Sequence, residues 1–247
     1  MTLNFTNSSL ISHTHISPHR NSPRNQPITK ITVHHAAGNI TLRALGEWLD
    51  RPTTRASYNY GIESLGNVGM FVEERDRCWG SSSRENDHQA VVIGVANITG
   101  APQWRVSDAA WEMLVRLCVD ICERNPGITQ IDGLAGLWYD GTHRGSLTRH
   151  NMFSNQVCPG PYLQSRFSEL VETVNNILNP SEVSEMRYNK VDEMPLWAQP
   201  TIQMLVEKGV LRGHGANNLD LSMDMIRIYV TNYRAGLYDK LFGKINS

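Results

Sequence analysis

The sequence predicts an α/β fold, a mixed central β-sheet flanked by helices, followed by a small all-helical C-terminal domain. Three observations point there. Ile28 to His35 alternates, with Thr29, Ile31, Val33 and His35 set against Lys30, Thr32 and His34, which is a strand period. Val91 to Asn97, VVIGVAN, is a short continuous apolar run of the kind that forms a strand buried on both faces. Strong helical stripes follow from Ser107 and from Leu163, so strands and helices interleave. A chain of 247 residues has room for one ordinary domain and a small second one. The expected division is residues 1–180 and 181–247.

In chain order, residues 1–26 read as an irregular polar arm. Thr41 is placed to cap a helix with Leu42, Leu45, Trp48 and Leu49 inward. Tyr58–Ile62 and Gly69–Glu73 are short strand candidates, joined by a turn at Ser64–Asn67. Ser107 caps a long helix, with Asp108 in its favourable first turn. Trp111, Leu114, Val115, Cys118, Ile121 and Cys122 form its core stripe, and Asn125-Pro126-Gly127 stops it. A Gly-rich stretch, Gly133–Gly145, leads to the segment Leu147–Pro161. One further helix then places Leu163, Phe167, Leu170, Val171, Val174 and Leu178 on one face. Asn179-Pro180-Ser181 and the polar run to Arg187 read as a linker. Beyond it, Trp197, Ile202, Leu205 and Val206 make an amphipathic helix ended by Gly209. Ser222 caps a second helix, with Met225, Ile226, Tyr229 and Val230 inward.

Composition narrows the function classes. The chain is 40% hydrophobic and 19% charged, with a formal net charge of -1, so bulk electrostatics favours neither nucleic acid nor anionic lipid as partner. No apolar run approaches membrane-spanning length, and no membrane insertion is expected. No basic segment followed by an apolar one marks a signal peptide. The expectation is synthesis in a reducing cytoplasm. Four cysteines, Cys78, Cys118, Cys122 and Cys158, form no disulfide framework. Cys118 and Cys122 read as buried core thiols.

Three residues can build a catalytic zinc site: His34, His150 and Cys158. Such sites commonly use three protein ligands and leave the fourth position open. His34 ends a strand where the chain opens into Ala36-Ala37-Gly38. His150 and Cys158 bracket a loop, eight positions apart, that can bring both to one ion. A one-residue register slip would exchange His34 for His35 as ligand. His13, His15, His19, His88, His143 and His214 read as surface residues.

The runs ITVHHAAG, SYNYGI, VVIGVAN and RHNMFSNQVCPGPYL together resemble the type-2 N-acetylmuramoyl-L-alanine amidases, over roughly residues 27–178. That family includes phage endolysins and animal peptidoglycan-recognition proteins. The resemblance implies one zinc on His34, His150 and Cys158, and a groove for a glycan and its stem peptide, with His35, Asn59, Trp79 and Asn97 along it. It implies hydrolysis of the amide between N-acetylmuramic acid and L-alanine, as in a phage endolysin released to the wall with a holin. The chain departs from many relatives at Gly94, where they carry a general-base glutamate. Other branches use a tyrosine beside the zinc, which Tyr58 matches, and a lysine or threonine where this chain has Gln156. Gln156 can donate a hydrogen bond but cannot act as a base. Two readings follow: a hydrolase assisted by Tyr58 and Gln156, or a peptidoglycan-binding module with weak or no catalysis. The C-terminal segment is similar to small helical endolysin tails and to one surface-layer-homology repeat, through Asp192, Pro195, Trp197 and Gly209. That implies wall attachment or self-association, with Trp197 and Asp192 as the contact residues.

Overall fold

The structure is a computed structural model that describes residues 5–180, 187–213 and 218–238. Most of the expected linker, residues 181–186, and His214 lie outside the described residues. The chain divides into two compact units, Met1–Pro180 and Ser181–Ser247.

The first unit runs β1 (Ile11–Thr14), β2 (Arg20–Asn21), β3 (Lys30–His35), α1 (Leu42–Leu49), β4 (Tyr60–Ile62), β5 (Val68–Met70), β6 (Arg77–Cys78), α2 (Arg84–Gln89), β7 (Ala90–Val95), α3 (Asp108–Arg124), β8 (Leu147–Arg149), α4 (Pro161–Ser165) and α5 (Phe167–Leu178). Six strands form a mixed sheet in the order β1-β5-β4-β7-β3-β8. β3 lies between β7 and β8 and is parallel to both, while β4 and β5 pair antiparallel. The centre of the sheet is thus parallel and, as such sheets require, covered on both faces. On one face Ile31, Val33, Ile93 and Val95 pack with Trp111, Leu114, Cys118, Ile121, Phe167 and Leu170 of α3 and α5. On the other, Leu42, Leu45 and Leu49 of α1 pack with Tyr58, Phe71, Cys78 and Val92.

Local chemistry explains the ends of the helices. Thr41 Oγ1 accepts the N–H of Ala44, and Ser107 Oγ accepts that of Ala110. Each such cap is worth about 1 kcal/mol. The stripe expected on α3 is buried in full. Trp48, expected on the inner stripe of α1, is instead 37% exposed at its border. The helix expected over 163–178 breaks at Arg166 into α4 and α5, and its apolar face still points inward. Helix α2 and strand β8, both short and largely polar, carry too weak a periodicity to be read from sequence.

The N-terminal arm is not irregular. β1 extends the sheet along β5, and β2 pairs with β6. Arg24 is 2% exposed and donates to the carbonyls of Glu74, Asp76, His88 and Ala90. Asn7 Oδ1 accepts the N–H of Glu74, whose fully buried carboxylate bonds Tyr60, Arg124 and Asn125. Packing of the arm also buries His19 and His88, which were expected at the surface, and half-buries His13 and His15.

In the second unit, α6 (Gln199–Glu207) and α7 (Met223–Arg234) close a small core of Tyr188, Met194, Ile202, Leu221, Ile226 and Val230. Ser222 caps α7, with its Oγ accepting the N–H of Met225. Trp197 precedes α6 and is 45% exposed, so it does not belong to that helix's inner stripe. Asp192 is exposed on a short turn, Val191–Glu193. No helix among the described residues is long and apolar enough to cross a membrane.

Because each unit has its own core, residues 1–180 expressed alone should be soluble and melt in one cooperative transition. Aggregation, or a broad non-cooperative melt by circular dichroism, would show that the units share a core.

Candidate metal centre

Alternation along β3 decides which histidine faces which way. Gly94 lies beside His34 in register on β7, with Gly61 of β4 beyond it. His34 therefore shares the α1 face with Thr32, and His35 shares the α3 face with Ile31 and Val33. The His34 ring is 4.6 Å from that of His150 and 5.3 Å from that of Tyr58, centroid to centroid. Cys158 Sγ lies 3.4 Å from His34 Nδ1. One donor atom from each of His34, His150 and Cys158 falls within 4.8 Å of the others, the only such group among the described residues. His35 points away, its ring edge-on to Trp104 at 4.7 Å, while its backbone N–H reaches Cys158 Sγ at 3.4 Å.

The cluster is electrostatically poised for a cation. Burial holds the His34 imidazole well below its ordinary range, helped by His150 and His35. Burial also lowers His150, and lowers His35 to about 4 with His150 contributing. The Cys158 thiol is pushed up to about 12 by burial, against the opposing His35 N–H. Two neutral imidazoles and a thiol that stays protonated without a counter-charge form a borderline-soft N/N/S donor set. The His34 Nε2 is buried with no partner, so the Nδ1 facing Cys158 is the nitrogen placed to bind. These residues fit zinc, which would stabilise the thiolate.

Tyr58 is held by an absence. Its ring lies over Gly94: a Cβ built on Gly94 would stand 2.8 Å from Tyr58 Cδ2 and Cε2. A side chain at position 94 and the present Tyr58 ring therefore compete for one space. Tyr58 is buried and its hydroxyl bonds no described residue. Burial, then the neighbouring Cys158 and Cys78, raise its pKa, so at neutral pH it is a proton-bearing donor.

The remaining expected site residues separate. Gln156 is exposed in the loop between His150 and Cys158. Trp79 is half-buried, its ring tilted against that of His19 at 5.3 Å between centroids, and bonded through Nε1 to Asn21. Asn59 does not line a groove; it is fully buried, and its amide bridges Val72, Glu73 and Val92 backbone groups. Asn97 is also buried, donating to the Trp104 carbonyl at 2.7 Å. Sequence reasoning missed Trp104. It is half-exposed beside His35, at a φ of 52°, and fills the space that Gly160 leaves just after Cys158. A tryptophan in a polar turn carries no periodic signal, and only the fold brings it to the centre.

A family model described as N-acetylmuramoyl-L-alanine amidase matches residues 24–161. Among solved structures, a selenomethionine derivative of AmpD is similar with a TM-score of 0.50 and 18% identity, covering 69% of this chain and 99% of that one. A mutant of PlyL is similar with a TM-score of 0.50 and 12% identity, covering 66% and 97%. At those identities the likeness is one of fold. The curated proteins yield no match.

Two outcomes follow from this geometry. Gly94→Ala should destabilise the fold by about 1–3 kcal/mol through overpacking against Tyr58. In a Tyr58→Ala background that cost should vanish, because the space is then free. Equal costs in both backgrounds, by urea denaturation, would rule out the contact. The second outcome concerns acid. Folded His35 takes up a proton only near pH 4, whereas the unfolded chain does so near 6.5. Between those values the unfolded state binds more protons, so stability present above about pH 6.5 is lost as pH falls toward 4. The chelated His35→Gln variant should lose less melting temperature from pH 7 to pH 4.5 than the chelated parent; an equal or larger loss would contradict the burial of His35 as a neutral ring.

Proposed function

The chain belongs to the N-acetylmuramoyl-L-alanine amidase family, and on that premise we propose that it is a zinc-dependent hydrolase of bacterial peptidoglycan. The bond cut is the amide between the muramic-acid lactyl group and L-alanine. The observation that carries this reading is the full donor set, His34, His150 and Cys158, gathered at the C-terminal end of β3. Zinc, when bound there, supplies Lewis-acid polarisation of a carbonyl and a lowered pKa for a water.

The chain's own residues do the rest. His34 and His150 enter as neutral rings and need lose no proton to bind a cation. Cys158 must give up its proton, so assembly of the site releases one. Tyr58 keeps its phenolic proton at neutral pH and donates a hydrogen bond to the oxygen on which negative charge develops. Gln156 offers an amide N–H from the exposed loop and orients substrate in the same way. Trp104 and Trp79 are half-exposed apolar surfaces for the sugar or peptide. Gly94 supplies no base, so the proton from the attacking water passes to solvent or to the leaving amine.

A second reading, a peptidoglycan-binding module of weak or no catalysis, is favoured by one observation: Gly94 lacks a side chain and Tyr58 occupies its space. For the second unit we propose wall attachment or self-association through Trp197 and Asp192, both exposed. A phage-encoded lysis role, with synthesis in the host cytoplasm and holin-dependent release, suits an enzyme of this specificity.

Incubation with purified peptidoglycan should release new alanine N-termini, and a chelator should abolish the release. Tyr58→Phe should slow it by roughly 10²–10³-fold, the usual cost of one oxyanion donor. Wall binding without new alanine N-termini would favour the binding module.

A further inference from the structure

We propose that Ser82 is a positioning residue for His150: its hydroxyl oxygen accepts the Nε2–H of that ring and so keeps Nδ1 free for a cation. The inference rests on the metal reading above and names a residue that the ligand triple leaves out. A neutral imidazole carries one N–H and one lone pair, and the partner of the first decides where the second points. Ser82 Oγ stands 3.3 Å from His150 Nε2. The corresponding Nε2 of His34 is buried without a partner. Among the described residues, Ser82 is therefore the side chain outside the cluster that is bonded to a ring nitrogen of either candidate histidine.

The backbone around Ser82 is built to hold that contact. Ser82 has a φ of 66°, a left-handed conformation that a non-glycine residue adopts only at a cost. Glycine would adopt it without that cost but has no hydroxyl. After Ser82, Ser83 caps α2, its Oγ accepting the N–H of Asn86 at 3.3 Å, and before it the loop is pinned. Asp87 accepts the N–H groups of Gly80 at 3.1 Å and Ser81 at 2.9 Å, and the Ser81 hydroxyl at 2.6 Å. Asn86 Nδ2 donates to Ser81 Oγ at 3.1 Å and to Thr32 Oγ1 at 2.9 Å. Thr32 and Thr148 share a hydrogen bond of 2.8 Å. Those threonines stand two residues before His34 and His150 in the chain. One buried polar network thus fixes the Ser82 loop against both strands that lead to the histidines.

The test is zinc affinity of the full-length chain, by competition with a chromophoric chelator, together with the visible spectrum of the cobalt-substituted protein. Ser82→Gly relieves the backbone and removes the acceptor. Its metal-free melting temperature should be unchanged or higher, its zinc affinity about 10–100-fold weaker, and its cobalt bands shifted. Ser82→Asn tolerates the left-handed conformation and restores an acceptor oxygen, so it should recover most of the affinity. If Ser82→Gly binds zinc as tightly as the parent with the same cobalt spectrum, Ser82 has no such role. A loss that Ser82→Asn does not recover would assign the effect to the loop backbone and overturn the proposal as well. A parent chain that binds no zinc would overturn the metal site itself, and Ser82 with it.

Discussion

Strand β3 has no wet face. It lies between two parallel neighbours, with α1 and α2 on one side of the sheet and α3 and α5 on the other. Every side chain from Ile31 to His35 is buried. A polar group in that position needs a partner, because leaving one unsatisfied costs on the order of 1–3 kcal/mol. Thr32 meets the requirement through Thr148 and Asn86. His34, two residues on and on the same face, has only Cys158 Sγ on one nitrogen and nothing on the other. The proposed zinc site is the place where the dry sheet runs out of internal partners.

The same constraint shapes the centre around His34. The row His34, Gly94 and Gly61 crosses three strands, and two of its three members have no side chain. Leu45 and Phe71 fill the space over Gly61, and the Tyr58 ring fills that over Gly94. A carboxylate at position 94 and a tyrosine at 58 in its present rotamer are thus mutually exclusive solutions to one packing problem. The chain adopts the aromatic one, which trades a proton acceptor for a buried hydrogen-bond donor.

Much of this was legible in the residues. Period-two alternation placed His34 and His35 on opposite faces, and the spacing of His150 and Cys158 fitted one loop. Which histidine faced the cluster was not legible, because both faces of β3 are dry and hydropathy alone does not distinguish them. The arm misled for a related reason: its polar residues bond backbone carbonyls, as Arg24 does, and polarity alone reads as exposure. Asn59 and Asn97 misled in the opposite direction. Their place beside site motifs suggested substrate contact, but their amides serve the backbone. Trp197 matched a helical stripe by spacing, yet the helix begins at Gln199. Ser82 and Trp104 were invisible because each owes its place to a left-handed turn, which leaves no periodic trace.

The arrangement proposed for this chain is one zinc on two histidines and one cysteine, with a position left open. Zinc K-edge X-ray absorption on the zinc-loaded protein tests it without reference to activity. Ligation by His34, His150 and Cys158 gives one sulfur at about 2.3 Å and three lighter atoms at about 2.0–2.1 Å, two of them showing imidazole scattering. A first shell with no sulfur, or with two, would contradict it.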